Sequence, residues 1–417
     1  MKSFEVSFEV LKRVINDNIP FHLALKSLLK KEKNKGDKDF VLSISSTCGC
    51  VLRHAYLFQE IISRKYPELD NDKGMLVSIG LANHLFSKRI EEKELFKYLV
   101  KETGLQDVVE FIEFYSDPKS LIPEDILPES KKFYSLRYNL PLWVVSMWEK
   151  NLGPFVSKKL FRSLNYKNGQ LLVVNKNEIQ DEELVKKYSD LTPFEEGIVL
   201  YQGKDNVKKH PAVLNNEVFN INGAYDLLFK KLDLDIARGI ACYSASSVDV
   251  IAELYILFSN SIKMDYLCGN QKHFFEMRDF VNHFNLKNVS LYESTHKEIE
   301  TCISKPVHTF FVCPKNTYFK GFIESPDYYL HIKQDDLDEL IKQEKETLLE
   351  SSRQVEEDGY LIYLLPTVCK NETKTVVHAF LKEHKDFVLV EEKQLLPFDK
   401  YKSMLYYAIL KREVNHD

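Results

Sequence analysis

Six consecutive apolar or aromatic residues, Tyr360-Leu-Ile-Tyr-Leu-Leu365, lie between a helical pattern ending at Gly359 and another beginning near Asn371. A short apolar run between helices reads as a strand buried in a parallel sheet. The pattern around it repeats this alternation from about residue 206. Strands are predicted over Gly239–Tyr243, Ile262–Leu267, Val289–Tyr292, Val307–Cys313, Tyr360–Leu365, Phe387–Val390 and Leu405–Leu410. Helices are predicted over Val248–Ser259, Phe274–Phe284, Asp336–Val355 and Lys374–Lys382. The expectation is a doubly wound α/β domain of about seven strands, the last ones antiparallel. Ligands of such sheets bind beyond the carboxyl ends of the strands, so Pro366 to Lys370 would line an active site there. Cys369 is the residue in that stretch that could act as a nucleophile.

The chain before residue 206 has a different texture. Residues 1 to about 130 read as helices with no strand, on the spacing of Phe4, Phe8, Leu11 and Val14, of Leu52, Tyr56, Ile61 and Ile62, and of Val108, Ile112 and Tyr115. Between the first two helices runs a lysine-rich stretch with Lys30, Lys31, Lys33 and Lys35. It is either a phosphate-contacting patch or a solvated helix end. Pro118, Pro123 and Pro128 read as a linker over 117 to 132. A small α+β segment with a strand at Leu171–Asn175 follows. The expected division is therefore 1–130, 131–205 and 206–417.

Composition excludes several classes. A formal net charge of −5 gives no global attraction to nucleic acid or anionic membrane, so such binding must be local. No apolar run approaches a membrane span, and Met1-Lys-Ser-Phe-Glu5 lacks the pattern of a signal peptide. Seven scattered cysteines suit a reducing cytosol, so a cytoplasmic protein is expected. Cys48-Gly-Cys50 has no second pair to complete a zinc site and reads as two buried thiols in a helix. The chain has 14 glycines, and no two lie closer than six residues apart. Neither common glycine-lined phosphate loop is therefore present.

Four spaced stretches resemble the RsmB/Sun family of RNA cytosine-5 methyltransferases. Tyr138-Asn-Leu-Pro-Leu-Trp143 is similar to the family's tyrosine-x-x-proline-x-tryptophan entry to its second segment. Ser325-Pro-Asp327 stands where the family has asparagine-proline-aspartate, and Thr367 to Leu381 runs along its E-E-N-x-x-V-V-x-x-F-L segment, keeping Glu372, Val376, Val377, Phe380 and Leu381. Tyr406 to Lys411 matches its closing strand. The resemblance implies a helical NusB-like domain, a small subdomain and a Rossmann-like methyltransferase domain. It also implies S-adenosylmethionine as cofactor, no metal, and ribosomal RNA as partner.

The residues that carry the family's chemistry are replaced. Its C-A-A-P-G-G-K cofactor loop corresponds to Ala241-Cys-Tyr-Ser-Ala-Ser-Ser247, without glycine, proline or lysine. Asp265 is the match for the ribose-binding carboxylate after the second strand, and Ser294 replaces the third-strand aspartate. Methyl transfer further needs a thiolate that adds to the pyrimidine ring and a second cysteine that assists release. Continuous register puts Pro366 at the nucleophile position and Asn316 at the release position. Cys369 and Cys313 could serve only if both motifs were displaced by three residues, and Lys315 in the same loop could touch phosphate. The resulting expectation is an RNA-binding, catalytically degenerate relative. The alternatives are an active methyltransferase with displaced motifs and, more weakly, a protein-interaction module.

Overall fold

A computed structural model describes residues 2–164, 169–203, 206–221, 223–245 and 248–414. The chain forms two compact units, Met1–Asn165 with Gly321–Gln334, and Tyr166–Lys320 with Asp335–Asp417.

The first unit is helical throughout its described residues. Its main helices are α1 (Ser3–Ile15), α2 (Phe21–Leu29), α3 (Lys38–Arg53), α4 (Ala55–Lys65), α5 (Asn71–Ala82), α6 (Glu92–Thr103), α7 (Val108–Phe114), α8 (Lys131–Tyr138) and α9 (Leu142–Ser163), the last being two helical pieces joined across a kink at Gly153, φ 77°, just before Pro154. Short polar side chains fix several of the starts. Asp37 accepts from the amides of Asp39 and Phe40, Asp70 from that of Lys73, and Ser130 from that of Phe133. The apolar stripes of α1, α3, α4 and α5 meet in one core holding Leu11, Ile44, Leu52, Phe58 and Leu81. The expected linker over 117–132 is not a free tether. Leu121 and Ile126 are buried in that core, so the prolines rigidify a packed segment. Cys48 is buried in α3 as expected, but Cys50 is partly exposed.

Within the tyrosine-x-x-proline-x-tryptophan stretch, Asn139 has a structural role the pattern did not show. It ends α8 in the left-handed region, at φ 53°, where asparagine is tolerated. Its amide donates to Leu52 O at 2.8 Å and accepts from Tyr56 N at 3.0 Å, joining α8 to the α3–α4 corner. Asp327, of the Ser325-Pro-Asp327 stretch, is likewise structural. It accepts from Phe21 N at 2.8 Å at the start of α2, where Pro20 offers no side-chain cap, and from His331 Nε2 at 3.0 Å. Burial pushes its carboxyl up, but the hydrogen bonds from Ser325, Phe21 N and His331 outweigh this and hold it below its ordinary value.

The second unit contains two sheets. Strands β1 (Gln170–Val174), β2 (Leu191–Glu195), β3 (Ile198–Tyr201) and β4 (Val218–Phe219) form an antiparallel sheet of order β2-β3-β1-β4. The larger sheet is built from β5 (Ile240–Ser244), β6 (Met264–Cys268), β7 (Val289–Glu293), β8 (Val307–Cys313), β9 (Val355–Leu365), β10 (Phe387–Leu395) and β11 (Leu405–Arg412). Its order is β10-β11-β9-β8-β5-β6-β7. β5 to β9 run parallel, and β11 is antiparallel to both β9 and β10. This is the expected seven-stranded Rossmann-like arrangement of class I methyltransferases. Val173 of β1 and Phe219 of β4 enter the same core as Tyr266 and Phe311 of the larger sheet.

The founding run extends further than its sequence suggested. The preceding helix stops at Ser352, and β9 starts at Val355 instead of at Tyr360. Val355 pairs with Val307, and the register then shifts before Thr309 pairs with Tyr360. Gly359 is therefore a strand residue at an irregularity, not a helix end. A Cβ there would stand 2.7 Å from His308 O and 2.9 Å from Glu356 O. Both are backbone atoms that a rotamer change cannot move. Gly359→Ala should cost about 2–3 kcal/mol, the range of buried steric and backbone lesions. Urea denaturation checks this, and a loss under about 0.5 kcal/mol, the ordinary surface range, would show that the irregularity is soft.

Candidate functional site

The strand order reverses between β5 and β8, and in open α/β sheets the crevice outside the carboxyl ends at such a point takes the ligand. Register aligns Ser244 with both Cys268 and Cys313, and Cys268 with Glu293. Backbone then closes each gap just beyond the strands. Ala245 N donates to Cys313 O at 3.0 Å, Gly269 N to Ser244 O at 2.9 Å, and Ser294 N to Cys268 O at 3.0 Å. The Asn270 side chain accepts from His273 N at 2.9 Å, capping the helix Gln271–His283, and donates to Ala245 O at 2.7 Å. Ser246 and Ser247 of the expected cofactor loop lie outside the described residues.

The described residues here do not fit S-adenosylmethionine in the usual way. A ribose diol is recognised by a carboxylate at the end of the second parallel strand. That end is Gly269-Asn270, and the amide of Asn270 is already engaged. Asp265 is not at the strand end. It is the second residue of β6, opposite Ala241, and accepts from Tyr292 OH at 3.4 Å. Ser294, where the family has an aspartate, donates its hydroxyl to Thr295 O at 2.9 Å. The turn is also narrow, because a Cβ at Gly269 would meet Tyr243 OH at 3.0 Å and Ala245 Cα at 3.1 Å.

The loops after β8 and β9 do come together, and a buried carboxylate joins them. Glu372 accepts from Thr317 N at 2.6 Å, from Thr317 Oγ1 at 2.5 Å and from Thr367 Oγ1 at 3.1 Å. The two threonine hydroxyls are 2.9 Å apart, and Tyr363 OH donates to Glu372 O at 2.9 Å. Glu372, Thr367 and Tyr363 are fully buried, and Thr317 nearly so. Glu344, on the helix Leu337–Ser352, faces Glu372 from the side, fully buried, with the Glu372 carboxyl as its hydrogen-bond partner. Burial and then the Glu372 charge push Glu344 well above its ordinary value. Glu372 is also raised, by burial, against the opposing pull of its threonine donors. The donors assign the negative charge to Glu372 and the proton to Glu344.

Neither flanking cysteine is presented as a nucleophile. Cys369 is fully buried, and burial followed by the Glu372 charge raises its thiol far above the ordinary range. A thiol held neutral is a poor nucleophile. Its backbone serves the turn instead, with Cys369 O accepting from Glu372 N, Thr373 N and Thr373 Oγ1. Cys313 ends β8 with its thiol against Cys242 of β5. Asn316 is folded onto its own loop, accepting from Tyr318 N at 2.7 Å and donating to Pro314 O at 3.0 Å. Of the stretch expected to line a site, Pro366 and Lys370 reach the surface, while Thr367, Val368 and Cys369 are interior. Lys315 is exposed on its loop. Lys30, Lys31, Lys33 and Lys35 are exposed on the helical unit after α2 and form no ion pair with the described residues. No group of histidines, cysteines and carboxylates among the described residues could hold a metal ion. No helix among them is long and apolar enough to cross a membrane.

No protein-family model and no curated protein matches the sequence. Solved structures do resemble the fold. PH0851 superposes with a TM-score of 0.76 over 99% of this chain and 98% of that one, at 16% identity. NSun6 from Pyrococcus horikoshii, solved with SFG, gives 0.58 over 66% of this chain and 99% of its own, at 10% identity. A methyltransferase homolog protein from the same organism gives 0.57 over 69% and 100%, at 14% identity. The chain has the fold of these proteins, as its resemblance to the Sun family implied.

The carboxyl pair has a pH signature. Glu344 is raised in the fold above 4.5, so its contribution is complete below that pH and is lost as pH climbs toward the folded value. Glu344→Gln should therefore stabilise the protein at pH 7–8 by about 1–3 kcal/mol, with the gain vanishing near pH 4. Thermal melts of both proteins across that range check this, and a pH-independent difference would refute the proton held on Glu344.

Proposed function

We propose that this chain is an RNA-binding protein of the RsmB/Sun type whose methyltransferase domain has lost catalysis. Cytosine C5 is too weak a nucleophile to take a methyl group until a thiolate adds to the ring. The observation that carries the reading is the buried Glu372 bridge between the two loops where the family keeps its cysteines. Pro366 and Asn316 offer no sulfur, and Cys369 lies behind the bridge with its thiol held neutral. The engaged Asn270 amide and the absence of a carboxylate at the end of β6 support weak or absent cofactor binding. The RNA part, with ribosomal RNA as the class implied, is supported by the fold it shares with NSun6 and by the unpaired turn lysines.

Calorimetric titration with S-adenosylmethionine should give no binding heat up to millimolar cofactor. Micromolar binding would overturn the degenerate reading in favour of an active enzyme with displaced motifs. A covalent adduct with 5-fluorocytosine RNA, abolished by Cys369→Ala, would do the same. Filter retention of RNA should fall steeply with salt, and no retention at low salt would remove RNA as the partner.

A further inference from the structure

We propose that a cleft in the helical unit is a docking site for a partner protein, one that presents an acidic segment carrying bulky apolar side chains. The proposal does not depend on the RNA reading above. The cleft has a volume of about 690 Å³ and lies between the proline-bearing segment after α7 and helices α8 and α9. Ile122, Pro123, Ile126, Pro128 and Phe133 supply its apolar wall. Leu127, between the lining residues Ile126 and Pro128, is 74% exposed, and Phe155 is 69% exposed. Apart from Phe114, no large apolar side chain among the described residues is more exposed than these two. The kink at Gly153 places Phe155 in the first turn of the second piece of α9. It stands one turn before the lining residue Lys158, on the same helix face. Single exposed apolar residues are ordinary, but two of the most exposed gathered at one apolar cleft mark an interaction surface.

The charges of the cleft specify the partner. Arg137 and Arg162 line it, are exposed, and make no ion pair with the described residues. Lys158 is held by Glu129, so two open arginines stand against Glu124, the remaining carboxylate of the lining. Guanidinium groups take carboxylates in bidentate pairs, and arginines beside aromatic and apolar side chains are the composition of protein interfaces. A nucleic acid strand would use only half of this surface. The lining rings of Tyr134 and Tyr138 pack on Phe161 at 4.7 and 6.1 Å, so they are committed to joining α8 to α9 and offer no open face to a base. Phosphates would gain nothing from the isoleucine and proline wall, nor from Leu127 and Phe155. An acidic, apolar segment uses both features: its carboxylates meet the two arginines, and its leucine or phenylalanine side chains remove Leu127 and Phe155 from water.

The test uses the full chain as bait for a random peptide library displayed on phage. Selected peptides should combine aspartate or glutamate with leucine, phenylalanine or tryptophan. Measured by fluorescence anisotropy, their affinity should fall about tenfold or more in Arg137→Gln/Arg162→Gln, with a shallower salt dependence. Leu127→Ser/Phe155→Ser should weaken them by about the same factor and leave the salt dependence as it was. All four side chains are exposed, so melting temperatures should not move; should one pair lower them, the other decides. Selection of no acidic and apolar peptide, or equal binding by wild type and both variants, would overturn the docking site and leave the RNA reading standing. RNA retention lost in the arginine variant, with no peptide bound by wild type, would overturn it in favour of RNA at the cleft. A concentration-dependent mass in light scattering that both pairs abolish would overturn it in favour of a second copy of this chain.

Discussion

The α/β unit is arranged around one carboxylate. Glu372 is fully buried with no cation among the described residues paired to it, so its charge rests on donors from two loops that follow neighbouring strands. Hydrogen bonds to a charged group contribute about 1.5–3 kcal/mol each, and a buried charge stripped of its donors costs more. The Thr317 loop and the Thr367 turn are thereby fixed to each other. Glu344 completes the arrangement by remaining neutral, because two adjacent negative charges in that interior would repel too strongly to coexist. Tyr363 ties the same point back to β9.

This arrangement uses the part of the fold that most often serves chemistry. The crevice at the strand reversal normally opens because the chain departs in opposite directions from the two central strands. Here the ladder continues one residue beyond them, from Ala245 N to Cys313 O, and Asn270 spans the next gap. The described polar groups at these strand ends satisfy one another.

Much of the architecture was legible in the sequence because apolar runs in a parallel sheet are continuous and the helices between them keep their spacing. Val307–Cys313 was read to the residue, and the reversal to antiparallel pairing at the end followed from the missing crossover. The misses have physical causes. Val355 to Asp358 carry helix-forming acidic residues, yet pairing of Val355 with Val307 draws them into β9. Asp265 was placed by distance from the loop, and its strand runs three residues past it. Thr317 and Thr367 lie 50 residues apart, so no local pattern could show that they share one carboxylate.

Asp327 has a consequence for the order in which the chain can be assembled. The segment Gly321–Gln334 belongs to the helical unit although β5 to β8 precede it in sequence. The acceptor for the first amide of α2 is therefore 306 residues away from it. A ribosome would release every helix from α1 to α9 long before the residue that caps α2 emerged. Contacts of such long separation are closed late, after the intervening chain has collapsed. The helical unit is thus not finished when its own helices are finished: its last piece is delivered only once the first half of the parallel sheet has been synthesised.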